Sequence, residues 1–451
     1  MSKKFSRRDF LKVAGLGTAS SAVLTGCGTA ARYVSRQPYT EMPEYAFTGK
    51  STYYATTCGE CPAGCGVIVR TSEGRAHKVE GNPAHPVNSG KTCSRGQASL
   101  QGLYNPDRLQ GPVQQNVRGS GNFTALDWET AVRVVKDALT QSKPEEVAFL
   151  LGPFPDHLFD LVQLIAQGIG PIHVLRFNAL GEFEGRVTLM DACQKLMGAS
   201  RLPVFDIANA EVVFSFGANF TETWLSPVAY SQAFSAMRRS RSGQRGYLVQ
   251  FEPRMSATAL SADEWIPVLP GSEALLAQAL GRLISALIHK QVLPAFSSVE
   301  LDAAEKASGV PAAEMLRLAR IFTEARSQVA IPGGLAMGSN SGLAAAESIL
   351  ALNLLVGNIG TEGGVFFLPE HMLFADHIHR PSTFAEISAL VNRMQSGQIK
   401  TLLVHGVNPV YGLPKGLGFT EALEKVPQVI SFTSFPDETA NLADYIFPDH
   451  T

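Results

Sequence analysis

Four of the six cysteines lie between Cys58 and Cys93, spaced C-x2-C-x3-C-x27-C. Three thiolates on one tight loop can face a single metal cube, while the fourth must return from elsewhere in the fold. Gly59, Gly64 and Gly66 let that loop turn sharply and aim backbone amides at sulfur, a contact that tunes cluster potential. Val67-Ile68-Val69 and His77-Lys78-Val79-Glu80 read as short strands, with Gly74 and Gly81-Asn82-Pro83 supplying turns. The spacing predicts a small β-rich [4Fe–4S] module over residues 51–112 with Cys58, Cys61, Cys65 and Cys93 as ligands. Structural zinc, which also takes four thiolates, and a pair of disulfides are the competing readings.

The N-terminus reads as an address. Ser6-Arg7-Arg8-Asp9-Phe10-Leu11-Lys12 has the form of a twin-arginine export signal. An apolar stretch from Val13 to Leu24 follows, too short and too rich in small residues to be a stable membrane span. Leu24-Thr25-Gly26-Cys27 then matches a lipoprotein cleavage box, so Cys27 is the expected lipidation site and residues 1–27 the signal. A chance cysteine after an amphipathic N-terminus is the plainer alternative. The twin-arginine route carries folded proteins, as a cluster assembled in the cytoplasm would require. The expected place is periplasmic or at the outer face of the cytoplasmic membrane, lipid-anchored through Cys27. Residues 28–50 mix Pro, Tyr, Thr and Glu without periodicity and read as a linker.

A chain of 451 residues exceeds one ordinary domain. Its net charge of -2 offers no basic face for nucleic acid. Beyond Pro112, strands alternate with helical stretches, as in parallel α/β layers. Strands are expected at residues 147–152, 211–220, 246–254, 328–334 and 401–409, and helices at 274–289 and 344–355. Doubly wound folds bind ligands at the carboxyl ends of strands, where Gly217, Asn219, Glu252, Arg254, Gly333 and Asn408 fall. Glycine admits a close ligand, and Asn and Arg can bind phosphate. Ordinary turn chemistry explains any one of them alone.

Three stretches carry a resemblance: T-T-C-G-E-C-P-A-G-C-G-V-I-V-R, then G-N-P-x-H-P-V-N-x-G-x-x-C-S-R-G, then Y-N-P-D-R-L-x-G-P. They resemble the N-terminal iron–sulfur domain of molybdopterin oxidoreductases. The match continues through G-A-N-F, F-E-P-R, A-D-E-W-I-P-V-L-P-G-S-E-A, L-N-L-L-V-G-N-I-G-x-x-G-G, G-V-N-P and D-E-T-A-N-L-A-D-Y-I-F-P. The resemblance implies two Rossmann-like parallel α/β domains, residues 113–180 with 366–451 and an inserted one at 181–365. A further C-terminal domain would close over the pterin beyond this chain. Arg95 would lie between cluster and pterin. Gly217, Asn219, Glu252, Arg254, Gly271 and Asn408 would face a molybdopterin guanine dinucleotide. A molybdenum ligand would come from residues 182–197, where Thr188, Asp191 and Cys193 are the candidates and no clear motif marks one.

The stretch E-V-V-F-S-F-G-A-N-F-T-E-T-W-L-S-P, with the lipoprotein signal, is most similar to the large iron–sulfur subunit of alternative complex III. That subunit lacks the molybdenum cofactor. The likeness implies an electron-transfer subunit of a membrane-associated quinol:electron-acceptor oxidoreductase. Its partners would be a membrane quinone-binding subunit, another iron–sulfur domain and cytochrome c subunits. The alternative is a catalytic molybdenum–bis-pterin reductase subunit of the polysulfide or thiosulfate type. A structural subunit with a vestigial cluster is a third class, separated from the first by whether Cys61→Ser stops quinol oxidation.

Overall fold

The computed structural model describes residues 50–152, 156–177, 185–239, 245–367 and 381–449. The export signal, Cys27 and nearly all of the 28–50 linker lie outside the described residues. Two compact units are formed. The smaller, among described residues, holds 50–54 and 69–78; the larger holds 55–68 and 79–449.

The smaller unit contains portions of three strands of one sheet, β1 (Ser51–Thr57), β2 (Gly66–Ser72) and β3 (Arg75–Gly81), in the order β1-β2-β3. Glu73 (φ 52°) and Gly74 (φ 75°) join β2 to β3. Positive φ at both loop positions is the two-residue hairpin geometry that matches strand twist.

The larger unit contains two main sheets. One is seven-stranded: β4 (Val113–Gln115), β5 (Phe123–Ala125), β6 (Val147–Leu151), β7 (His173–Arg176), β14 (Thr401–His405), β15 (Gln428–Phe432) and β16 (Tyr445–Phe447). Its order is β5-β4-β16-β15-β14-β6-β7. The run from β16 to β7 is parallel, and β4 and β5 add an antiparallel pair at one edge. Strand β6, Val-Ala-Phe-Leu-Leu, is buried at every residue, as a strand covered on both faces must be. The other sheet is β9 (Val212–Phe216), β10 (Tyr247–Phe251), β11 (Glu264–Ile266) and β12 (Gln328–Pro332), in the order β11-β10-β9-β12, all parallel. Strands β8 (Pro203–Phe205) and β13 (Val365–Phe367) form a small antiparallel pair.

Helices follow the capping and packing rules. Helix α1 (Ser94–Leu103) starts at the fourth cysteine. Helix α2 (Trp128–Gln141) begins at Asp127, whose side chain accepts from Thr130 N at 2.6 Å. Helices α3 (Asp156–Ile169), α4 (Arg186–Met197), α5 (Pro227–Arg238) and α6 (Glu273–Leu287) lead to α7 (Gly342–Val356). Helix α7 is apolar nearly all round because it is buried, and Gly357 (φ 78°) stops it. Its Asn353 accepts from Ala330 N (2.9 Å) and donates to Ala330 O (2.8 Å), so a side chain occupies the free edge of β12. Phe214, Phe216, Phe251 and Phe322 pack together in the core behind β9 and β10. Among the described residues no helix is long and apolar enough to cross a membrane.

Candidate iron–sulfur centre and dinucleotide crevice

Residues 58–65 form the loop between β1 and β2. Cys58 N donates to Cys65 O at 2.8 Å, which closes the loop and brings the first and third cysteines together at its neck. Cys61 lies toward the tip, and Gly64 (φ 60°) takes the left-handed turn there. Gly66 serves a different need from the expected turn. A Cβ there would lie 2.4 Å from His85 Cγ, so glycine lets the imidazole ring lie against the backbone. Its amide goes to Asn88 Oδ1 at 2.8 Å rather than to sulfur.

Cys93 is the N-cap residue of α1. All four cysteines line one pocket, whose wall is completed by Ala63, Val67, Pro227 and Val228. Gly96, one turn into α1, is buried, and a Cβ on it would stand 3.6 Å from Cys58 Sγ. The missing side chain leaves that side of the pocket clear.

Burial pushes the Cys58 thiol up, and the neighbouring sulfurs add to it. Burial, then repulsion by Cys61, Cys58 and Cys93, raises Cys65 to about 11. Three sulfurs acting on a fourth is the electrostatic signature of one shared site. Ligation needs thiolates, so a metal group entering here expels protons.

The described cysteines are all free, so the two-disulfide reading falls. Among the described residues no group of His, Cys, Asp or Glu is drawn together tightly enough for a single metal ion. Zinc holds thiolates at about 2.3 Å, which places them about 3.8 Å from one another. Four thiols around one pocket suit a metal group held by thiolates.

Arg95 lies in the first turn of α1, half-buried, with no hydrogen bond or ion pair to a described residue. The other predicted residues divide between the two sheets. Gly217 (φ 66°) follows β9, the central strand at which the order of the four-stranded sheet reverses. Gly333 follows β12 beside it, and a Cβ on Gly333 would lie 2.1 Å from Ala218 N. These glycines are brought together at the switch point, where doubly wound sheets bind ligands.

Asn219 is in the next loop, and its Oδ1 is buried without a partner, as are Trp224 Nε1 and Ser226 Oγ in the same loop. Leu225 between them takes a left-handed backbone (φ 50°). Three unpaired buried polar atoms in one loop fit a polar group held beside it. Glu252 is fully buried at the end of β10, accepting from Ser256 N (2.6 Å) and Gln250 Nε2 (2.9 Å). Both carboxylate oxygens are thus engaged within the chain. Arg254 is exposed, and Gly271 (φ 80°) is exposed in the loop after β11. Asn408 belongs to the seven-stranded sheet, capping a short helix and bonded to Glu438 and Thr439.

The candidates on α4 differ sharply. Cys193 is 0% exposed within the apolar core, and burial pushes its thiol up to about 12. Asp191 is exposed and Thr188 half-buried; residues 182–184 lie outside the described set.

Asn88 went unremarked in the sequence although it stands in the G-N-P-x-H-P-V-N motif. It is fully buried beside the cysteines and hydrogen-bonded to Gly66 and Lys91. An asparagine inside a turn-rich ligand loop was the available signal.

Comparison with known proteins places this arrangement. Residues 51–105 match the molybdopterin oxidoreductase Fe4S4 domain and residues 108–451 the molybdopterin oxidoreductase family. The chain is 30% identical over 98% of its length to the menaquinone reductase molybdopterin-binding-like subunit of Nitratidesulfovibrio vulgaris, and spans 65% of that protein. It is 25% identical, over 98% of its length and 60% of the relative's, to the arsenate respiratory reductase molybdopterin-containing subunit of a Shewanella species. Thiosulfate reductase of Salmonella typhimurium is 26% identical over 80% of this chain and 47% of its own. The acetylene hydratase of Pelobacter acetylenicus shares the fold, with a TM-score of 0.72 at 15% identity, covering 87% of this chain and 62% of that one. The chain belongs to the molybdopterin oxidoreductase family, with an Fe4S4 domain at its N-terminal side.

Proposed function

We propose that this chain is an electron-transfer subunit of a membrane-associated quinol:electron-acceptor oxidoreductase of the alternative complex III kind. The observation that carries this reading is the pairing of a four-cysteine pocket with an α4 whose cysteine is sealed in the core. Cys58, Cys61, Cys65 and Cys93 would hold a [4Fe–4S] cluster, which supplies one-electron transfer when bound. Pro227 and Val228 give it an apolar wall, and Arg95 offers a permanent cation nearby. The likeness to a menaquinone reductase subunit supports a place beside a quinone-binding membrane partner. Export by the twin-arginine route and a lipid at Cys27 would hold the subunit at the outer face of that membrane. An additional iron–sulfur domain and cytochrome c subunits would pass the electrons on.

The test is metal and pterin analysis of the purified complex, paired with Cys61→Ser. Iron and sulfide near four per chain, little molybdenum, and loss of quinol oxidation in an assembled Cys61→Ser complex are expected. Stoichiometric molybdenum would overturn the reading. It would favour the second one, a molybdenum–bis-pterin reductase subunit, to which the unpaired polar atoms of Asn219, Trp224 and Ser226 lend support.

A further inference from the structure

Asn88 uses its whole carboxamide. Its Oδ1 accepts from Gly66 N at 2.8 Å, and its Nδ2 donates to Gly66 O at 2.8 Å and to Lys91 O at 2.7 Å. Gly66 follows the third cysteine directly, and Lys91 stands two residues before the fourth. One fully buried side chain therefore spans the two arms that carry Cys65 and Cys93. No other side chain of that shape can do so. Aspartate would put an oxygen where two carbonyls expect a donor.

The bracket is tied to the α/β part of the larger unit. Gln232 on α5 donates from Nε2 to Asn88 O at 2.9 Å and to Val228 O at 3.4 Å. The first residues of α5, Pro227 and Val228, line the cysteine pocket. The residues just before α5 form the loop from Gly217 to Ser226, at the carboxyl end of β9.

We propose that Asn88 and Gln232 are positioning residues for the group held by the four cysteines. Asn88 sets the spacing of the third and fourth ligands, and Gln232 makes that spacing depend on the seating of α5. The inference rests on the Fe4S4 reading and adds two residues that set the spacing of its ligands.

The test uses the full chain, purified without oxygen. Gln232→Glu keeps the shape but loses both donors, and Asn88→Asp does the same inside the bracket. Iron and sulfide per chain, the rate of iron loss to a ferrous chelator, the midpoint potential followed by EPR, and melting of the iron-free chain are measured. Gln232→Glu is expected to load fully, lose iron about tenfold faster and shift in potential, with its iron-free melting unchanged. Asn88→Asp is expected to lose iron faster still or to load poorly. Gln278→Ala, which cuts a bond to Ser348 elsewhere in the fold, serves as control and should behave as wild type.

Wild-type iron loss and potential in Gln232→Glu would overturn the proposal, even if Asn88→Asp failed to fold. So would faster loss matched by an equal fall in iron-free melting, since that is fold stability alone. A wild-type chain without iron or sulfide would instead sink the Fe4S4 reading itself.

Discussion

Gly152 and Gly406 meet backbone to backbone at the point where the seven-stranded sheet reverses its strand order: a Cβ on Gly152 would lie 2.1 Å from the Gly406 carbonyl oxygen. Gly333 stands against Ala218 N at the same distance in the four-stranded sheet. Both sheets thus bring main chain against main chain at their switch points, leaving no room for a side chain between the loops.

Gly152→Ala should therefore destabilise the chain by about 3 kcal/mol, because backbone and not a movable side chain is in the way. Gly168→Ala, in the last turn of α3 with nothing within 4 Å, should be neutral or stabilise by up to about 1 kcal/mol. Urea denaturation of the two variants checks the contrast.

Cys193 gives an alkaline prediction. Its buried thiol ionises at about 12 against 9.0 for an unburied one. Between those values the unfolded chain has released a proton that the folded chain keeps, so folding weakens as pH rises from 9 toward 12. Cys193→Ser should flatten that part of the stability curve and leave iron content unchanged. Alkylation of native protein should spare Cys193, and alkylation in urea should not.

Asp449 gives the acid counterpart. A hydrogen bond from His405, with another from Ser434, holds its carboxyl down to about 2. A depressed carboxyl contributes stability fully above its unfolded pKa of about 3.9, and that contribution fades as pH falls toward 2. The gap in melting temperature between wild type and Asp449→Asn should close as pH falls from about 4 toward 2.

Asn353→Leu keeps the size of the side chain but strips both partners from Ala330 on the outer edge of β12. Two buried backbone groups would be left unpaired, a loss of about 3 kcal/mol. Denaturation measures it.

Strands at Val147, Val212, Tyr247, Gln328 and Thr401 were legible because each is a nearly unbroken apolar run closed by glycine or proline. Helix α6 was legible from its periodicity, whereas α7, expected on the same ground, is apolar nearly all round and shows only as a long apolar run. Strand β16 was not legible, since Tyr445-Ile446-Phe447 is three residues long and its strand character comes from pairing with β15 and β4. The short strands β4, β5 and β7 were invisible for the same reason. At the site, cysteine spacing marked the ligands because metal chemistry fixes residue type and interval together. The Asn88 bracket, the sealing of Cys193 and the inward turn of Glu252 depend on burial, which a motif does not encode. Gly66 shows how far a local rule reaches: glycine was rightly noticed, but the need comes from His85, distant in sequence.

Strand β6 pairs with β14, Val147 against Thr401, and between them the chain builds all of β9 to β12. Synthesis from the ribosome therefore delivers the four cysteines first, then Pro227, Val228 and Gln232. Only much later does it deliver the strands that let β6 and β7 close their sheet. Every residue described around the cysteine pocket has emerged by Gln232, so its assembly need not wait for β14, which joins β6 and β7 to the rest of their sheet.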